Sequence, residues 1–147
     1  MLRIGVVNID VSHPKAFSEY LFRGERARYV AVYNDGFRGD DEVEGFIRRY
    51  GLEKRCRTIE ELADCVDIGF VQSCNWSKHV SQARPFIERG KPVFIDKPIA
   101  GSPAGFRALT AARSNWRTSP RTIRVTTETH SSARTPPRPR RYTSDLW

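Results

Sequence analysis

Four short stretches of this 147-residue chain hold side chains suited to chemistry. Asp96-Lys97-Pro98 sets a cation between an acid and a proline. The proline disfavours helical backbone at Lys97, so the ammonium is held out from an extended segment. Asn8-Ile9-Asp10-Val11-Ser12-His13 brings an amide, an acid, a hydroxyl and an imidazole into one short run. Asn34-Asp35-Gly36 offers an amide and a carboxylate in a turn-forming context. Ser73-Cys74-Asn75-Trp76-Ser77-Lys78-His79 is mostly small and polar, which suits close approach of a ligand.

Each stretch follows a short apolar run. Leu2–Asn8, Arg28–Tyr33, Asp67–Gln72 and Pro92–Ile95 read as buried strands. Between them lie helical patterns. One opens at Pro14, where a missing N–H costs nothing, and runs to about Arg23. A second spans Asp40 to Tyr50 and stops at Gly51. A third starts on the capping box of Thr58 and Glu61 and runs through Ala63. A fourth covers Ser77 to Arg89, with Gly90 as its stop and Pro85 expected to kink or split it. Ser102-Pro103 opens a fifth, through about Ala112. Alternation of this kind predicts an α/β fold, a doubly wound parallel sheet with right-handed crossovers.

Ligands of such sheets bind beyond the carboxyl ends of the strands, where strand order reverses. All four polar stretches fall there. The loop after the first strand is the place for a G-x-G-x-x-G dinucleotide fingerprint. Its three glycine positions hold Asn8, Asp10 and His13. An acid at the second position would add bulk and negative charge beside a pyrophosphate. The fingerprint taken alone therefore argues against a dinucleotide. Ser12 and His13 also read as ordinary helix-capping or packed residues. In the second loop, Asn34 or Asp35 could accept a hydrogen bond from a ribose hydroxyl, or simply form a turn.

Residues 1–113 and 114–147 differ in kind. The second segment draws 23 of its 34 residues from Ser, Thr, Pro and Arg, too polar to offset its chain entropy by burial. Thr122–Thr129, with Ile123 and Val125 alternating, is the one strand-like run within it. So abrupt a shift is what out-of-frame translation of a GC-rich gene would produce. Of the net charge of +8, this segment carries +5. The preceding part is balanced and gives no reason to expect nucleic acid. Cys56, Cys65 and Cys74 form no C-x-x-C pair, so neither a disulfide framework nor a metal site is expected. No run approaches the roughly 18 apolar residues of a membrane helix, no signal-peptide pattern opens the chain, and a cytoplasmic location is expected.

The run Gly-Lys-Pro-Val-Phe-Ile-Asp-Lys-Pro-Ile-Ala, residues 90–100, resembles the G-K-x-V-x-x-E-K-P-x-A signature of the glucose-fructose oxidoreductase/inositol dehydrogenase/MocA family, with Asp96 in place of Glu. Asn75 to His79 is similar to that family's loop after its fourth strand. Asp10-Val11-Ser12-His13 resembles a subgroup whose first loop carries D-x-S-H instead of the glycines. The resemblance spans about residues 2–113. It implies a Rossmann-like domain binding NAD or NADP, in an oxidoreductase acting on sugar- or polyol-like hydroxyls. It implies a catalytic Lys97, with Asn8, Asp10, Ser12, His13, Asn34, Asp35, Asn75, His79, Lys97 and Pro98 along the cofactor groove. Family members continue into a larger domain that supplies most substrate contacts and often the base. Residues 114–147 do not resemble it, so catalysis by this chain alone is not expected, and a small-molecule substrate is expected only with that domain present. The alternatives are a non-catalytic interaction protein or remnant on the same scaffold, and a nucleic-acid binder working through the basic tail. Self-association is left open.

Overall fold

The computed structural model describes residues 1–21 and 26–114. The tail from residue 115, the strand-like run within it and the Arg23 end of the first helix lie outside those residues. Five parallel strands form one sheet in the order β3-β2-β1-β4-β5. They are β1 (Leu2–Val7), β2 (Ala27–Tyr33), β3 (Lys54–Arg55), β4 (Ile68–Val71) and β5 (Val93–Ile95). The strand order reverses between β1 and β4.

The helices are α1 (His13–Ala16), α2 (Asp40–Tyr50), α3 (Ile59–Cys65), α4 (His79–Glu88) and α5 (Pro103–Ser114). Apolar side chains cover both faces of the sheet, as the nearly continuous apolar strands require. On one side Val7, Val30, Ala31 and Val71 pack with Leu62, Ala63, Ala83 and Phe86 of α3 and α4. On the other Ile4, Val6, Tyr29 and Val32 pack with Val43 and Phe46 of α2. Gly69 lets Phe86 lie flat on β4, since a Cβ there would stand 2.6 Å from the ring.

Several expectations need correcting. The first helix is only α1, followed by a π-helical segment, Phe17–Leu21. α4 starts two residues late, after a 3-10 turn at Trp76–Lys78, and runs unbroken through Pro85. Burial of Ala83 and Phe86 on either side of the proline offsets the lost backbone bond. The strand β3 has no apolar signature at all. Both its residues are charged and exposed, and flanking amides fasten it, Glu53 N–H to Val30 O and Cys56 N–H to Val32 O, both 2.7 Å. Trp76 is exposed.

Candidate functional site

The carboxyl ends of β1, β2, β4 and β5 meet where the strand order reverses. Asn8 sits just past β1 with φ +64, the left-handed conformation that asparagine tolerates better than other non-glycine residues. It takes over the backbone role of a first glycine and adds an amide. Its Nδ2 donates to Asp35 Oδ1 at 2.9 Å and to Ser73 Oγ at 3.0 Å, while its Oδ1 accepts from the Asp35 N–H at 2.8 Å. Gln82 Nε2 donates to the same Asp35 oxygen, and Ser73 Oγ donates to Gln82 Oε1. The Lys78 ammonium donates to the other Asp35 oxygen at 2.9 Å. Burial alone would push the Asp35 carboxyl up. The Lys78 ammonium, then Asn8 and Gln82, outweigh it and hold the group below the usual range.

Asp10 answers the objection raised by the missing glycines. Its side chain is buried and turned into the protein, where Oδ1 accepts from the Phe37 N–H and Oδ2 from the Cys74 N–H, at 3.2 and 3.3 Å. The negative charge is thus met by backbone dipoles of the second and third loops. Ser12 makes no cap hydrogen bond and leaves its hydroxyl exposed. Asn34 Nδ2 donates to Arg38 O, and its Oδ1 accepts weakly from the Ile9 N–H.

His79 and Asn75 serve the loops as well. His79 is fully buried, with Nδ1 2.9 Å from Pro98 O and Nε2 2.8 Å from Ser73 O. It ties the loop after β4 to the loop after β5. Asn75 Oδ1 accepts from the Ser77 N–H and starts the 3-10 turn. Lys97 and Pro98 are exposed, joined by a cis peptide. The Lys97 N–H donates to Asp96 Oδ1 at 2.8 Å, and the other Asp96 oxygen meets His13 Nδ1.

Asn8, Asp10, Asp35 and His79 thus spend their side chains largely on protein partners, whereas Ser12, Lys97 and Pro98 are open to solvent. Sequence reasoning passed over Gln82 and gave Asp96 no role beyond replacing Glu. Nothing in their local pattern marks them, because their partners lie far away along the chain.

A family model, described as an oxidoreductase family with an NAD-binding Rossmann fold, matches residues 2–117. The chain belongs to the Gfo/Idh/MocA oxidoreductase family and is its NAD-binding Rossmann domain. Solved structures agree on the fold. A putative myo-inositol dehydrogenase from Sinorhizobium meliloti 1021 is 26% identical, with a TM-score of 0.64, over 79% of this chain and 34% of its own. A scyllo-inositol dehydrogenase from Lactobacillus casei is 18% identical, with a TM-score of 0.68, over 78% of this chain and 33% of its own. A biliverdin reductase from Synechocystis, solved with biliverdin and NADP+, is 19% identical, with a TM-score of 0.65, over 78% of this chain and 35% of its own. The chain therefore spans about a third of the length of these relatives. No curated protein matches it.

The residues present fit the family's dinucleotide. Asn8 supplies the backbone bend of the first glycine, and the Asp10 charge is sequestered beneath the loop instead of facing the groove. Among the described residues no cluster of His, Cys, Asp or Glu could hold a metal ion, and no helix is long and apolar enough to cross a membrane. Cys56 and Cys65 lie 3.9 Å apart as free thiols. Burial, then the Cys65 neighbour, pushes the Cys56 thiol up to about 12, which leaves it inert.

Proposed function

We propose that this domain binds NAD(H) or NADP(H) across the carboxyl ends of β1 and β4, within a cytoplasmic oxidoreductase acting on a sugar- or polyol-like hydroxyl. The observation that carries this reading is the setting of Lys97. It leaves the end of β5 on a backbone anchored by Asp96, and that carboxylate also holds His13 of the first loop. The dinucleotide supplies hydride chemistry. Lys97 contributes a cation at the mouth of the sheet, on a backbone held by Asp96, to contact the nicotinamide ribose and to stabilise charge developing on a substrate oxygen. Ser12, His13, Asn34 and Pro98 line the groove. Asn8, Asp10, Asp35, Asn75 and His79 set the shape of its floor. The substrate and most of its contacts belong to a second domain.

The lost glycines favour the reading of a redox-silent scaffold; the left-handed Asn8 and the inward-turned Asp10 support the cofactor reading instead. Titration of NADH fluorescence against wild type and Lys97→Ala at two salt concentrations tests the proposal. Binding is expected, weakened by Lys97→Ala at most about fivefold, since an exposed charge contact is worth about 0–1 kcal/mol. The absence of saturable NADH and NADPH binding by the wild-type chain would refute it.

A further inference from the structure

His13 and Asp96 are brought together from opposite ends of the domain. His13 opens α1 and Asp96 follows β5. The Asp96 side chain is only 12% exposed, whereas that of His13 is 36% exposed. Nδ1 of His13 faces one carboxylate oxygen of Asp96, and the other oxygen accepts the Lys97 N–H. An ionised carboxylate only accepts hydrogen bonds, so Nδ1 carries a proton, and in the neutral ring Nε2 is the nitrogen with the lone pair. No partner meets Nε2 among the described residues. The ring stacks on Phe17 at 5.9 Å between centroids, and Phe17 in turn packs edge-on against Phe94 of β5. The ring orientation, and the tautomer of the neutral ring, are thus both set by the same carboxylate that accepts the Lys97 backbone N–H.

We infer that His13 and Asp96 form an oriented imidazole–carboxylate dyad whose Nε2 accepts the proton of the hydroxyl oxidised beside Lys97. This rests on the dinucleotide reading above. Oxidation of an alcohol sends a hydride from carbon to the nicotinamide and a proton from oxygen to a base. Here the proton passes to Nε2, and Asp96 stabilises the resulting imidazolium through Nδ1–H, the arrangement that orients histidine in hydrolytic triads. The base would then reside in this domain.

Two measurements on the full chain test this. Nitrogen-15 NMR of the imidazoles reads the tautomer directly. His13 is expected as the Nδ1–H form, and Asp96→Asn is expected to abolish that preference. Carbethoxylation with diethyl pyrocarbonate, mapped by mass spectrometry, reads access to Nε2. His13 is expected to react and to lose that reactivity under saturating NADH, with buried His79 as the unreactive internal control. An Nε2–H tautomer in the wild type, or unchanged His13 reactivity while fluorescence on the same sample shows NADH bound, overturns the dyad alone. Failure of NADH to bind overturns the cofactor reading and the dyad together.

Discussion

The carboxylate of Asp10 occupies the space that a side chain at Gly36 would need. A Cβ built on Gly36 would overlap the carboxyl group, whose Oδ1 accepts the Phe37 N–H one residue further on. The acid of the first loop and the glycine of the second are therefore one unit. Gly36→Ala should cost about 1–3 kcal/mol, as overpacking of a filled site does. In an Asp10→Gly background the same change should cost less, giving a coupling of about 0.5 kcal/mol or more. Urea denaturation of the four proteins of this cycle measures it, and strict additivity would count against the unit.

Asn8 combines a backbone conformation with a hydrogen-bonding role, and two substitutions separate them. Asn8→Gly keeps φ near +64 accessible and loses only the amide bonds. Asn8→Ala loses both, adding a left-handed penalty of about 1–2 kcal/mol. The expected order of denaturation midpoints is wild type, then glycine, then alanine. Alanine equal to or above glycine would show that the bend is not imposed by the fold.

Asp35 makes stability depend on acid. Its folded-state value lies below the ordinary 3.8, because Lys78, Asn8 and Gln82 outweigh its burial. Its contribution is complete above that ordinary value and is lost as pH falls through the depressed one. Asp35→Asn should lower stability near neutrality and flatten the acid limb of the stability curve. Denaturation midpoints of both proteins across the acid range provide the check. Curves that stay parallel would exclude the role.

Lys91 closes the end of α3. Its ammonium donates to the carbonyls of Ala63, Asp64 and Val66, at 2.5, 3.1 and 2.7 Å. A cation at a helix C-terminus both satisfies free carbonyls and opposes the helix dipole. Lys91→Met keeps most of the side-chain bulk and should cost about 1–2 kcal/mol. Hydrogen exchange should be faster at the end of α3 than in α2, and uniform protection would argue otherwise.

The parts of this fold visible in the sequence are those written in local pattern. The apolar runs of β1, β2 and β4, the Thr58 cap and the Gly51 stop each depend on neighbours in the chain. β3 was invisible because a two-residue charged edge strand carries no alternation, only backbone bonds to β2. The site divided the same way. Lys97 was legible because Pro98 constrains it, and the loops were legible because they end strands. The inward turn of Asp10, the Asn8–Asp35–Gln82 network and the His13–Asp96 contact depend on residues brought together only by the crossovers. No local pattern announces such pairs.

The two rims of the sheet are unlike. β3 presents Lys54 and Arg55, charges that discourage another strand from docking. β5, among the described residues, pairs only with β4, and its Phe94 is the open margin of an aromatic cluster with Phe17 and Phe70. Among the described residues one rim carries charges and the other an exposed aromatic side chain. The two rims of the described sheet would therefore differ in their colloidal behaviour, the β5 side offering the stickier edge. Conditions that keep the domain dispersed have one short, identifiable edge to shield.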